Sequence, residues 1–237
     1  MARRLQQAGH TVHAWNRTQS KADPLAALGI AVHATVAEAV RQADIVVSLL
    51  ENGPAVEHVL FHAGAAQAMR PGTLFIDMAS IQPREARDHA ARLGEMGLAH
   101  LDAPVSGGTV GAENGTLAIM AGGRAEDFAR AQPVFAALGR AIHVGPHGSG
   151  QLAKLANQMI VGITIGAVAE ALLFAAKGGA DMARVREAIQ GGFADSRILQ
   201  LHGQRMVDRD FAPKARMGVQ LKDMRNALRT AKEIGFD

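Results

Sequence analysis

Over the first 145 residues, short runs of β-branched and apolar residues alternate with stretches whose apolar positions recur every three or four residues. The first kind of run fits strands and the second fits helices lying against them. Strands are expected over His10–Trp15, Ala31–His33, Asp44–Leu50, Thr73–Asp77, Ala99–Leu101, Leu117–Ala121 and Ala141–Val144. Local chemistry marks where several helices start. Thr35 and Glu38 have the spacing of a capping box, and Pro54 and Pro83 stand where a first helical turn tolerates a residue without an N–H. Strands alternating with helices build a parallel sheet covered on both faces, so the expected class is α/β, a Rossmann-like doubly wound sheet.

From Gly150 onward the alternation stops and long helical patterns follow. Asp181, after Gly178-Gly179, is expected to cap one helix, and another is expected from about Lys214 to Ile234. The run Gly145-Pro146-His147-Gly148-Ser149-Gly150 interrupts any regular element, which divides the chain into an α/β domain, 1–147, and an all-helical domain, 148–237. Met1 to Gly9 reads as the body of a helix running into a strand. The opening strand and glycine loop of such a sheet are therefore expected upstream of Met1. Met159 to Ala176 is almost wholly apolar and long enough to cross a bilayer. Glu170 lies inside it, and Gly162, Gly166 and Ala169 suit close packing, so a large protein's central helix is expected there, not a membrane span.

Composition narrows the function. With 237 residues and 48% apolar content the chain can bury a substantial core. Its 25 basic and 22 acidic side chains leave a net charge of only +3, with no run of five or six like charges and no interleaving of basic and aromatic residues, so no nucleic-acid partner is expected. The absence of cysteine excludes disulfides, thiolate metal sites and a Cys nucleophile, and suits a cytoplasmic protein. His58 and His62 have the spacing of a helical chelate but lack an adjacent Glu base and a clear third ligand; two surface histidines, and no metal, are expected.

Four segments carry chemistry. Asn16-Arg17-Thr18 ends the second expected strand of such a sheet, the first being expected upstream of Met1, and this tip meets the adenosine ribose in a dinucleotide fold. An acidic residue there suits the 2′-hydroxyl of NAD and an Arg suits a 2′-phosphate, so Arg17 points to NADP, although alone it could be a solvent-facing turn residue. In Leu101-Asp102-Ala103-Pro104-Val105-Ser106-Gly107-Gly108, Ser106 and two glycines leave backbone N–H groups able to converge on a carboxylate. The glycine-studded continuation through Thr116–Gly123 is compatible with a bulged hairpin. Lys154 and Asn157 lie three apart after Gly148-Ser149-Gly150, on one face of an apolar helix that would desolvate the ammonium and ready it to protonate an alkoxide; a snorkelling lysine is the plainer alternative. Lys222-Asp223 sits on a charged helix, where a solvated face is the ordinary expectation.

Taken in order, the Asp-Ala-Pro-Val-Ser-Gly-Gly loop, the Gly-x-Gly-x-x-x-Lys-x-x-Asn helix start and the later Lys-Asp resemble the β-hydroxyacid dehydrogenase family across essentially the whole chain. The resemblance implies an oxidoreductase moving a hydride between NADP(H), or NAD(H), and a small β-hydroxy acid, semialdehyde acid or glyoxylate. It implies Lys154 as catalytic lysine, Ser106, Gly107, Gly108 and Asn157 as substrate-binding residues, and Asn16, Arg17, Thr18, Leu49, Leu50, Ser80 and Lys222 around the cofactor. It further implies a homodimer or homotetramer centred on the helix after Gly150, with more helices past Asp237. The chain departs from the family at Glu51, where proline is common, and at Ala79, where a hydroxyl is usual. The Gly107-Gly108 loop looks closer to hydroxyisobutyrate and tartronate semialdehyde enzymes, and Arg17 to NADPH-linked glyoxylate and succinic semialdehyde reductases. The alternatives are an NAD-linked 3-hydroxyisobutyrate dehydrogenase type, a non-catalytic cofactor-binding relative, 6-phosphogluconate dehydrogenase, which has a His where Ala156 stands, and imine reductases, which lack the lysine.

Overall fold

The structure, a computed structural model, describes residues 1–213 and 216–236, and the chain divides into two compact units, Met1–Lys154 and Leu155–Asp237. In the first unit, helix α1 (Ala2–Gln7) precedes a two-stranded parallel pair, β1 (His13–Ala14) and β2 (Ala31–Val32). A six-stranded sheet follows. Its strands are β3 (Ile45–Ser48), β4 (Leu74–Asp77), β5 (Ala99–Asp102), β6 (Val105–Ser106), β7 (Leu117–Gly123) and β8 (Gly139–Gly145). The order is β3-β4-β5-β7-β6, with β8 also paired to β7; β3, β4 and β5 are mutually parallel, β7 and β8 are parallel, and β7 runs antiparallel to β5 and β6.

The helices between the strands begin where the local chemistry says they should. In α2 (Val36–Val40) the Thr35 side chain accepts from the Glu38 N–H while the Glu38 carboxylate accepts from the Thr35 N–H, a complete capping box. Pro54 and Pro83 occupy the first turns of α3 (Gly53–Glu57) and α5 (Pro83–Glu95). With α4 (Ala65–Ala68), these helices cover one sheet face, where Phe75 packs among Val56, Leu60 and Leu93. Leu74 and Ile76, its neighbours in β4, point the other way into a second core with Phe135 and Leu138 of α7 (Ala125–Leu138). Residues alternating between two apolar cores are what a strand buried on both faces requires.

Three details differ from the sequence expectation. Strand β3 ends at Ser48, so Leu49 and Leu50 belong to the loop after it. Val105–Ser106 forms a short strand that no apolar run announced. The glycine-studded stretch is not a hairpin: Gly108–Asn114 is helix α6, and β7 continues beyond it with a register shift between Ala121 and Gly122.

The second unit is helical. Helix α8 (Ser149–Lys177) starts in the first unit and supplies most of its length to the second. It is followed by α9 (Met182–Ile189), α10 (Gln204–Val207) and α11 (Met217–Ile234). Asp181 caps α9 by accepting from the Arg184 N–H. The expected start of the last helix at Lys214 lies outside the described residues, as does Asp237. A small core gathers Val168, Leu172 and Leu199 with Met182, Val185 and Ile198. Gly162 is backed closely by the Gln220 amide of α11, whereas Gly166 has no such neighbour. Helix α8 is long and apolar enough to cross a membrane, yet within this chain it is not the enclosed helix expected: only 6% of its most apolar stretch is buried. Ile160, Ile163 and Phe174 are 67%, 70% and 82% exposed.

Candidate active site

Strands β3, β4 and β5 end in a row of polar residues. Ser48 is in register with Asp77, and Asp77 with Asp102. All three are buried at the carboxyl edge of the sheet, the edge at which open α/β sheets bind their ligands. Ser48 Oγ donates to Asp77 Oδ1 at 2.9 Å, and the same oxygen accepts from the Ala79 N–H at 3.0 Å. The Asp77 Oδ2 atom is buried without a hydrogen-bond partner. Burial pushes the Asp77 carboxyl up to about 7, against the opposing pull of the Ala79 N–H and the Ser48 hydroxyl. Ser80 follows this turn and is half-buried.

Asp102 performs a different task. Its carboxylate accepts from the Gly148 N–H at 2.8 Å and from the Gln151 N–H at 2.9 Å. Those donors belong to the start of α8 and have no partner within the helix, so a side chain from β5 acts as the cap that the helix lacks in its own sequence. Burial raises the Asp102 carboxyl above its ordinary value, and these two N–H donors oppose the rise. The approach is close enough that a Cβ on Gly150 would lie 2.3 Å from the Asp102 carbonyl oxygen and 2.4 Å from that of Met120. Only glycine fits at this point. The Gln151 side chain then reaches the Ser80 turn, donating from Nε2 to the Ala79 carbonyl at 2.9 Å and accepting at Oε1 from the Ile81 N–H at 3.0 Å. Lys154, one helical turn after Gln151, is 8% exposed.

The other expected site residues of the first unit fall in two places. Ser106 ends β6 half-buried, with Gly107 and Gly108 exposed at the start of α6. Gly107 and Gly108 have φ of 132° and 63°, a backbone that L side chains rarely adopt, so the path of this loop depends on both glycines. Asn16, Arg17 and Thr18 are exposed beyond β1, and Asn16 Oδ1 accepts from the Thr18 N–H at 2.9 Å, closing an Asx turn that presents Arg17. Trp15, before this turn, and Leu50, after β3, pack against the same core, and Leu49 is 56% exposed. His58 and His62 have ring centroids 5.9 Å apart, and no group of three or more His, Asp or Glu able to hold a metal occurs among the described residues.

In the second unit the Lys222-Asp223 pair is not the solvated face expected. Asp223 is buried, and Lys222 Nζ lies 3.1 Å from its Oδ1. Gln158 Nε2 donates to Asp223 Oδ2 at 2.8 Å, and Asn157 Nδ2 donates to Gln158 Oε1 at 2.9 Å. One hydrogen-bonded line thus joins Asn157 to Lys222. Sequence reasoning selected its two ends and missed Gln158 and the burial of Asp223, just as it selected Ser80 and Lys154 but missed Gln151 between them.

Comparison with known proteins agrees along the chain. Residues 1–145 match a family described as the NAD binding domain of 6-phosphogluconate dehydrogenase, and residues 148–237 one described as NAD-binding of NADP-dependent 3-hydroxyisobutyrate dehydrogenase. The 2-hydroxy-3-oxopropionate reductase of Escherichia coli strain K12 is 44% identical over 239 residues, covering 100% of this chain and 82% of that protein. A probable 3-hydroxyisobutyrate dehydrogenase-like protein, mitochondrial, of Arabidopsis thaliana is 36% identical, covering 100% of this chain and 71% of its own. The solved structure of Mycobacterium tuberculosis 3-hydroxyisobutyrate dehydrogenase with L-serine has a TM-score of 0.90 at 33% identity, covering 99% of this chain and 82% of that one.

Proposed function

The chain belongs to the β-hydroxyacid dehydrogenase family of nicotinamide-linked oxidoreductases, and from that membership we propose that it is an NADPH-linked reductase of 2-hydroxy-3-oxopropionate or a closely related semialdehyde acid, with Lys154 as proton donor. The observation that carries the proposal is the burial of Lys154 on a helix whose first turn is bound to the carboxyl edge of the sheet. The 44% identity to a 2-hydroxy-3-oxopropionate reductase supports that choice of substrate. The family description naming 6-phosphogluconate dehydrogenase covers the first 145 residues only, and Ala156 stands where that enzyme carries a His.

Residues 1–147 hold the cofactor in this scheme, and residues 148–237 supply substrate contacts and the surface for self-association. The residues present suit a nicotinamide dinucleotide: Arg17 is exposed on its Asx turn for a 2′-phosphate, and the apolar Leu49 is exposed beside half-buried Leu50 after β3. Asn16 and Thr18 shape the Arg17 turn, and Ser80 and Lys222 complete the cofactor contacts. When bound, the nicotinamide supplies the hydride that the aldehyde carbon receives. Ser106 Oγ and the Gly107 and Gly108 N–H groups hold the substrate carboxylate, and Asn157 orients the remainder. Lys154 gives a proton from its ammonium to the developing alkoxide, leaving a primary alcohol and a neutral amine that solvent reprotonates.

The exposed apolar side of α8 supports a homodimer or homotetramer, in which a second copy covers Ile160, Ile163 and Phe174. The cysteine-free composition suits a cytoplasmic setting. The test is loss of NADPH absorbance with 2-hydroxy-3-oxopropionate, glyoxylate, succinic semialdehyde and methylmalonate semialdehyde, repeated with NADH. Turnover of 2-hydroxy-3-oxopropionate with NADPH is expected. Silence across the panel overturns the proposal, and equal use of NADH removes the assignment of NADP.

A further inference from the structure

Gln151 is absent from the motif that selects Lys154 and Asn157, yet it is fully buried and spends its whole carboxamide on one short stretch of backbone. It accepts from the Ile81 N–H at 3.0 Å and donates to the Ala79 carbonyl at 2.9 Å, so its two polar atoms bracket Ser80 from either side. Its own N–H is held by Asp102. One turn later on the same helix comes Lys154. Backbone groups in a turn such as Ala79–Ile81 ordinarily find water or a local side chain. Here they are satisfied by a residue about seventy positions away, and a buried amide whose donor and acceptor are both used is costly to replace.

We propose that Gln151 is a positioning residue: by clamping the Ala79–Ile81 backbone to the first turn of α8, it makes the Ser80 turn and the Lys154 ammonium parts of one rigid body. The proposal rests on the assignment of Lys154 as proton donor. A hydride acceptor and a proton donor must be aligned together, and a displacement of about 1 Å at such a site costs on the order of a hundredfold in rate. Asp102 fixes where the helix begins, and Gln151 fixes what the helix begins against.

The test compares wild-type protein with Gln151→Leu, Gln151→Glu and Lys154→Ala, using NADPH and 2-hydroxy-3-oxopropionate. For Gln151→Leu, kcat is expected to fall about ten- to a hundredfold while KM for substrate changes less than about threefold. Hydrogen exchange of segment 78–82, measured without cofactor, is expected to accelerate. The glutamate variant gives a second and independent readout. Its neutral carboxyl can still accept from Ile81 and donate to Ala79, but its carboxylate cannot donate, so activity and protection of 78–82, each taken as a ratio to wild type at the same pH, should recover towards one at acid pH and fall as pH rises.

Unchanged exchange at 78–82 in both Gln151 variants overturns the clamp. Faster exchange with wild-type kcat leaves a structural contact only and overturns the positioning role. If Gln151→Leu does not fold, the pH-dependent recovery of Gln151→Glu carries the decision. Failure of the underlying assignment has a separate signature: Lys154→Ala retains turnover, or the wild type has none, whatever the Gln151 variants do.

Discussion

Asp77 and His100 show what single side chains contribute when they are buried without full satisfaction. His100 is buried with neither ring nitrogen hydrogen-bonded, and burial holds its pKa well below 6.5, with nearby His147 acting in the same direction. Its neighbours are aromatic, with Phe75 stacked at a centroid distance of 6.1 Å and His147 at 5.5 Å, so in the folded protein it acts as a neutral ring. Replacement of Lys154 belongs to this scale too. Lys154→Ala should lower kcat by orders of magnitude while leaving NADPH affinity, read by fluorescence titration, close to wild type. Arg17→Ala should raise the KM for NADPH by about tenfold or more and leave that for NADH nearly unchanged, since the contact proposed for Arg17 is to the 2′-phosphate alone. Equal effects on both cofactors would remove Arg17 from that role.

At the scale of elements, capping is the most direct link from sequence to structure. Asp181→Ala removes the side-chain acceptor that caps the start of α9 and should destabilise the protein by about 1 kcal/mol, read as a lower midpoint in urea unfolding. The expected strands were legible because each is an apolar or β-branched run closed by turn residues. Val105–Ser106 escaped detection because two residues have no periodicity, and because it becomes a strand only by pairing with Ile119 and Ala118. Helix α6 was concealed by Gly108 and Gly111, residues of poor intrinsic helix propensity, in a segment of only seven residues. The segments around Arg17, Ser106 and Lys154 could be picked out as candidates from residue type and spacing, whereas Ser80, Leu49, Leu50 and the role of Lys222 were implied only by the family resemblance. Gln151, Gln158 and the buried state of Asp223 could not be read from the sequence, since their roles depend on partners about seventy positions distant, whose approach exists only after folding. Of the polar edge, only Asp77 stood at the end of an expected strand; Ser48 fell inside one and Asp102 just past another, so the row became visible only with the register of the folded sheet.

For the whole molecule, Asp77 and His100 make stability respond to pH in opposite senses. The Asp77 carboxyl is raised from 3.8 to about 7 on folding, so the folded state binds its proton more tightly and stability falls as pH rises through that interval. His100 is lowered from 6.5, so the unfolded state takes up the proton first and stability falls as pH drops below 6.5. The two trends oppose each other as pH falls from 6.5. His100→Leu should therefore leave the Asp77 trend exposed, with unfolding free energy that increases on acidification by up to about 1.4 kcal/mol per pH unit relative to wild type. Chemical unfolding at a series of pH values reads this difference, and parallel curves for the two proteins would contradict it. Self-association is expected at the same scale. Light scattering should give at least twice the 24.9 kDa chain mass, and Ile163→Glu with Phe174→Glu should shift the protein towards monomer. A wild-type monomer, or partition into lipid vesicles, would argue for a different cover on α8.

The border between the two compact units falls inside α8, immediately after Lys154. Most borders between units lie in linkers, where recombination can exchange one half for another and leave both intact. Here a crossover would leave Ser149–Lys154 as a stub of less than two turns, too short to remain helical by itself in water. A graft of residues 1–154 onto a foreign partner would transfer the sheet, the Asp102 cap and Gln151, but would end the chain's own helix at its lysine. Exchange of the two halves at this border is therefore expected to cost the fold more than exchange at the Gly145–Gly150 segment before the helix begins.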